Sequence, residues 1–152
     1  MAHIFQINIS PGGVPKLPIH SAEITELGIT GDKQKHTEIH GGPERALCLY
    51  SLERILELQK EGHPIFPGAA GENITISGTD WDTIKPGTRI LLGSAVTIEI
   101  TRPTTPCKTI HPYFNNDDSN RIHDDKYPGW SRFYAKVITD GKIKIGDPVR
   151  IF

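Results

Sequence analysis

Val96-Thr97-Ile98-Glu99-Ile100-Thr101, followed directly by Arg102-Pro103-Thr104-Thr105-Pro106-Cys107-Lys108-Thr109-Ile110, joins a strand signal to a loop with distinctive chemistry. The first residues alternate apolar and polar side chains at period two, the pattern of a β-strand with one buried face. Pro103 and Pro106 each fix φ and lack a backbone donor, so the chain is expected to leave the sheet there as a stiff, extended loop. Cys107 lies in that loop between Arg102 and Lys108. Nearby cations favour the thiolate, the form that attacks electrophiles and binds soft metals. Cysteines outside disulfides are usually buried packing residues. A proline-bounded loop with two cations makes poor core, so Cys107 is expected to do chemistry.

On either side, short β-patterns are separated by turn residues. His3 to Ile9 reads as a strand ended by Ser10-Pro11-Gly12-Gly13, and Ala22 to Leu27 alternates in an ambiguous register. Arg45 to Tyr50 reads as a short buried strand, which makes Cys48 a core residue. Asn73 to Ser77, Arg89 to Leu92 and Val149 to Phe152 read as further strands. Val137 to Thr139 and Lys142 to Ile145 flank Asp140-Gly141, a dipeptide that favours a type I′ hairpin. Ser51 to Glu61 is the clear amphipathic helix, with Ser51 as cap, Glu53 in the first turn, a stripe of Leu52, Ile55, Leu56 and Gln59, and Gly62 and Pro64 as its stop. Tyr113 to Ser131 is a long polar loop rich in Asn, Asp and aromatics, expected to be a mobile lid over the Cys107 site. Many short strands with one helix predict a mainly β architecture closed as a barrel.

The 152 residues suit a single domain spanning 1–152. With 17 basic and 18 acidic residues the net charge is -1, which excludes a polyanion surface for nucleic acid or membrane as the main business. Two cysteines do not make a disulfide scaffold, and neither a signal peptide nor a membrane span is evident, so a soluble, reduced, cytoplasmic setting is expected. His36 and His40 stand four apart, but Thr37, Ile39 and Gly41-Gly42-Pro43 argue against the helix that would pair them on zinc. Asp32 and Asn73 read as residues that fix turns.

Gly28-Ile29-Thr30-Gly31-Asp32, His40-Gly41-Gly42-Pro43, Gly71-Glu72-Asn73-Ile74, Pro86-Gly87, Pro106-Cys107 and Gly146-Asp147 occur in this order over nearly the whole chain. Together they resemble the MOSC domain, the C-terminal domain of molybdenum-cofactor sulfurases, which also occurs as stand-alone bacterial proteins. The resemblance implies a β-barrel and a cysteine, here Cys107, that ligates molybdenum or carries sulfur. It also implies molybdopterin held by basic and backbone groups. Lys16, Lys33, His40, Arg45, Arg102 and Lys108 are the candidates for that role, and Arg102 and Lys108 lead because they flank Cys107. The sulfurase's pyridoxal-phosphate domain is not expected here, so desulfurase activity is not carried over. Relatives such as the amidoxime-reducing component and the bacterial hydroxylaminopurine reductases suggest a reductase of N-hydroxylated bases, with a small-molecule substrate and an electron-donor protein. Two other readings stay open: a carrier of the cofactor or of sulfur as a Cys107 persulfide, and a cysteine hydrolase pairing Cys107 with His111.

Overall fold

The computed structural model describes residues 1–32 and 42–152. Strands dominate it. An eight-stranded sheet has the order β11-β7-β8-β9-β5-β6-β1-β2, built from β1 (His3–Ile9), β2 (Leu17–Ile19), β5 (Leu47–Ser51), β6 (Ile74–Ser77), β7 (Arg89–Leu92), β8 (Val96–Thr104), β9 (Arg132–Thr139) and β11 (Val149–Ile151). A three-stranded sheet joins β3 (Ser21–Thr25), β4 (Gly28–Ile29) and β10 (Gly141–Lys144) in the order β10-β3-β4. Branched aliphatic side chains from both sheets, including Ile4, Ile24, Ile74, Ile98 and Ile143, meet in one apolar core.

The expected closed barrel is realised as an open ladder whose ends are stitched together. The outer edge of β1 pairs with β2 through Ile7 to Ile9. Its other half meets the segment entering β11, where Ile4 N–H donates to Asp147 O at 2.9 Å, Gly146 N–H to Ile4 O at 2.8 Å and Val149 N–H to Ala2 O at 3.0 Å.

Helix α1 (Leu52–Lys60) connects β5 to β6, which run parallel. A parallel pair needs such a crossover. Ser51 Oγ accepts from Arg54 N at 3.1 Å and caps the helix as expected. The buried stripe differs from the expected one. Ile55 and Leu58 are buried, whereas Leu56 is 44% exposed and Gln59 turns its amide to Ile65 O at 3.0 Å. Leu58 lies three residues past Ile55 and so shares its face, which Leu56 does not.

Two further expectations are corrected. Strand β8 does not stop at Thr101 but continues through Pro103, which pairs with Phe133, to Thr104, which pairs with Arg132. The ladder to β7 ends at Glu99, so Pro103 lies where β8 has a paired strand on one side only, after a register shift between Ile100 and Arg102. A missing donor is tolerated at such a position. Asp140-Gly141 does not close a hairpin either: β10 pairs with β3, with Ile143 opposite Ala22. Ile143 and Ile24 are each nearly fully buried, and covering that apolar face outweighs the local turn preference.

The 113–131 segment is anchored rather than loose. Phe114, Ser119 and Ile122 are buried. Arg121 donates to both carboxylate oxygens of Glu61, at 2.9 and 2.8 Å, and its guanidinium lies 4.1 Å from the Trp130 ring centre. Tyr50 donates its hydroxyl to Trp130 O at 2.5 Å. These anchors join the segment to α1 and the sheet, contrary to the expected mobile lid.

Candidate functional site

Three adjacent strands end at one cavity. On β9, Arg132 and Tyr134 are two residues apart and so face the same way, while Phe133 and Ala135 turn to the core. Across the ladders, Cys48 on β5 stands opposite Tyr134, and Thr104 on β8 stands opposite Arg132. These four side chains form one wall. The loop after β8 adds Cys107, Thr109 and Ile110, and Gly13, Val14, Lys16, Arg45, Ala70, Gly71 and Asn73 complete the lining. The cavity is partly open to solvent and has a volume of about 60 Å³, room for a few water-sized groups at its base.

The expected residues separate clearly. Cys107, Lys16 and Arg45 line the cavity. Arg102 and Lys108 are exposed and do not, although Arg102 lies 5.8 Å from the Tyr134 ring centre. His111 is likewise absent from the lining, in a short 3-10 turn after Cys107. Lys33 and His40, and with them the His36 and His40 pair, lie outside the described residues. Arg45 reaches the mouth from the 3-10 turn Pro43–Arg45, where Thr101 Oγ1 donates to Glu44 O at 2.7 Å, and its guanidinium lies 5.6 Å from the Tyr134 ring centre.

Beneath the cavity is a polar hub that the turn-fixing reading of Asp32 and Asn73 understates. Asp32 Oδ1 accepts from Lys16 Nζ at 2.7 Å and from Ser10 N at 3.0 Å, and its Oδ2 accepts from Asn73 Nδ2 at 2.8 Å. Asn73 in turn accepts from Cys48 N at 2.9 Å and donates its own N–H to Cys48 O at 2.7 Å. Both side chains of the Lys16–Asp32 pair are nearly inaccessible, at 5% and 6% exposure. The cation is therefore held in a fixed place with its charge matched.

The two cysteines share the cavity but not their environment. Cys48 is buried, and burial pushes its thiol pKa up, so it stays protonated. Its Sγ lies 3.7 Å from Thr104 Oγ1. Cys107 is half-buried, and its Sγ lies 2.7 Å from Thr109 Oγ1, whose hydroxyl can donate to a thiolate. Burial also raises the Tyr134 pKa, so its hydroxyl remains a neutral donor.

Arg132 is the residue that sequence reading missed. It is 5% exposed and donates Nη1 to Ala70 O at 2.5 Å, while among the described residues Nε and Nη2 have no hydrogen-bond partner. The alternation Arg132-Phe133-Tyr134-Ala135 was the available signal, since it puts Arg132 and Tyr134 on the face opposite the apolar one. Glu72 lies fully buried nearby in the scaffold, its Oε2 accepting from Gly68 N at 2.9 Å and Thr75 Oγ1 at 3.1 Å, and burial raises its pKa. Among the described residues no three His, Cys, Asp or Glu side chains gather to hold a metal ion, and no helix is long and apolar enough to cross a membrane.

Comparison with known proteins places this geometry in context. A family model for the MOSC domain matches residues 36–150. The chain is 29% identical over 147 residues to Protein YiiM of Escherichia coli (strain K12), covering 93% of the chain and 64% of that protein's length, which is less than two thirds of it. It is 26% identical over 129 residues to a protein named Reductase from Gibberella moniliformis, covering 82% of the chain and 22% of that longer protein. The crystal structure of YiiM from Geobacillus stearothermophilus superposes with a TM-score of 0.77 at 23% identity, over 100% of this chain and 75% of that one, and shares its fold.

Proposed function

The chain belongs to the MOSC domain family, and from that premise we propose that it holds a molybdenum cofactor against Cys107 and reduces N-hydroxylated bases or related N-oxygenated compounds there. The observation that carries the reading is the cavity itself, where a half-buried thiol with a hydroxyl 2.7 Å away faces buried cations. MOSC domains are associated with the molybdenum cofactor, and the distant relative named a reductase supports the direction of the chemistry.

The residues present fit such a group. A thiolate is a soft ligand suited to a metal that a pterin's sulfurs already hold. Gly13 and Gly71, both with positive φ, line the cavity as bare backbone, and a Cβ at Gly71 would press on Val14 Cγ1 at 3.2 Å. Arg45 supplies positive charge for an anionic ligand, and Lys16, whose charge Asp32 matches, lines the cavity beside it. When bound, the cofactor supplies the two-electron chemistry of N–O bond reduction.

The chain's own part is to bind and orient. Thr109 Oγ1, 2.7 Å from the Cys107 Sγ, holds that side chain in place. Cys48 does not compete as a ligand, because burial keeps it a neutral thiol. Lys16 is held by Asp32 at one position of the floor, so it contributes a fixed ammonium rather than a mobile one. Tyr134 stays protonated and presents a neutral side chain to the cavity.

The test is turnover. Protein made in a cofactor-competent host should reduce a hydroxylaminopurine with a reduced viologen as electron source, and Cys107→Ala should abolish it. Stoichiometric molybdenum without turnover of any N-hydroxylated compound would instead favour the carrier reading.

A further inference from the structure

Both thiols of the chain line one cavity. Strand β9 lies between their strands, yet the Cys48 Sγ reaches Thr104 Oγ1 at 3.7 Å, at the last residue of β8 in the ladder. Cys107 stands past Pro106 in the loop beyond the end of that ladder, and Thr109 and Ile110 bring the same loop back over the cavity. Tyr134, opposite Cys48, is sensitive to both sulfurs: burial does most to raise its pKa, and Cys48 and Cys107 each add to the rise. A disulfide needs the two Cα atoms within about 7 Å, a reach that a loop outside the ladder can supply.

The two thiols differ as a first and a second reactant must. Cys107 is half-buried and reached through the open side of the cavity, so a small oxidant meets it first. Cys48 is buried, and burial raises its pKa, which protects it from direct attack because the thiolate is the reactive form. The Arg132 charge and the Thr104 hydroxyl act in the other direction and favour loss of the Cys48 proton when its sulfur attacks. Arg132 can act on Cys48 in this way because, among the described residues, its Nε and Nη2 have no hydrogen-bond partner.

We propose that Cys107 and Cys48 close a disulfide across the cavity in response to a hydroperoxide, with Cys107 oxidised first and Cys48 completing the bond. The Cys107 sulfur attacks one peroxide oxygen, an S–O bond forms and the O–O bond breaks. The departing oxygen takes the Cys107 proton and leaves as water or an alcohol. Cys48 then attacks the Cys107 sulfenic acid: an S–S bond forms, the S–O bond breaks, and the hydroxyl leaves with the Cys48 proton as water. Two thiols have lost two electrons and the peroxide has gained them. The disulfide occupies the Cys107 sulfur, so the oxidised chain withholds its cofactor ligand until a dithiol reduces it. Only that consequence rests on the cofactor reading. Failure to load molybdenum would leave the disulfide standing, and absence of the disulfide would leave the role of Cys107 standing.

The experiment treats the full, metal-free chain with hydrogen peroxide and reads intact mass and thiol content in denaturant. The parent should lose two hydrogens, both of its thiols should disappear together, and dithiothreitol should restore both. Digestion without reductant should give a peptide pair joined through Cys48 and Cys107. Cys48→Ala should instead gain one oxygen on Cys107, trapped by dimedone, and then pass to the sulfinic acid, which dithiothreitol does not reverse. In Cys107→Ala, Cys48 should react with peroxide at least about tenfold more slowly than Cys107 does in Cys48→Ala. If either variant folds poorly, the mass and peptide map of the parent decide alone. A parent that gathers oxygen on Cys107 without an internal link, a link formed only between chains, or a Cys48 oxidised as fast as Cys107 would overturn the proposal.

Discussion

Replacing Asp32 by Ala removes one carboxylate and strands three donors. Lys16 Nζ, Ser10 N and Asn73 Nδ2 all bond to it, within 2.7 to 3.0 Å. The ammonium is the decisive one, because its side chain is only 5% exposed. Breaking a buried ion pair by deleting one partner costs about 3–5 kcal/mol, and each stranded neutral donor adds up to about 1–3 kcal/mol where water cannot reach it. Water entering the space left by the carboxylate offsets part of this, so a loss of about 4 kcal/mol is expected, or roughly 10 °C in Tm for a chain of this size. Urea denaturation at neutral pH measures it. The same experiment on Asp32→Ala combined with Lys16→Met distinguishes charge from packing. Removing both charges should recover at least about 1.5 kcal/mol of the loss, a coupling within the range seen for contacting pairs. A single variant that loses less than about 1 kcal/mol, or a double variant no better than the sum of its parts, would refute the hub as the anchor of the cavity floor.

Two other outcomes are expected. Cys48→Ala should cost about 1 kcal/mol at neutral pH from lost packing. It should also flatten the alkaline side of the stability curve. The folded thiol pKa is raised by burial, so the unfolded chain ionises first, and stability that is complete below the ordinary thiol range is lost as pH rises above it, by up to about 1.4 kcal/mol per pH unit. Chemical denaturation between about pH 9 and 10 should show that slope in the parent and not in the variant; equal slopes would remove Cys48 as its source. Gly68→Ala should destabilise by about 3 kcal/mol, because φ is +91° there and a Cβ would run into the Lys16 carbonyl oxygen, which lies in backbone with little freedom to yield. A thermal melt within 2 °C of the parent would contradict that close approach.

Much of the strand inventory was legible because it rests on local pattern. His3 to Ile9 occupies one strand from end to end, and the Ser51 cap works as its residue type suggests. The errors arise where a distant partner outweighs the local signal. Asp140-Gly141 has the composition of a hairpin turn, but Ile143 is needed against Ala22 in another sheet. Pro103 reads as a strand breaker, and only the end of the β7 ladder makes it harmless. Polarity suggested a mobile 113–131 segment, yet Ile122 and Phe114 insert into the core and Arg121 clamps Glu61.

The site shows the same division. Cys107 lies in the cavity lining, whereas Arg102 and Lys108 are exposed, because Arg102 stands on β8 five residues earlier and Lys108 opens the 3-10 turn that follows. The cations that line the cavity with Cys107 come from elsewhere: Lys16 from the loop before β2, Arg45 from a 3-10 turn and Arg132 from β9. Sheet register brings Arg132 opposite Thr104, and no spacing in the sequence announces that pairing. Cys48 shows the converse case. Its buried-strand reading holds, but the strand ends at the cavity, so a core residue is also part of the wall.

The central claim is that Cys107 holds the cofactor, and elemental analysis tests it directly. Parent, Cys107→Ala and Cys48→Ala proteins would be purified from the same cofactor-competent host and assayed for molybdenum and pterin per chain. The account predicts molybdenum near one equivalent in the parent and in Cys48→Ala, and loss of it in Cys107→Ala with little change in Tm. Molybdenum retained in Cys107→Ala but lost in Cys48→Ala, or stoichiometric zinc with no molybdenum in the parent, would contradict it.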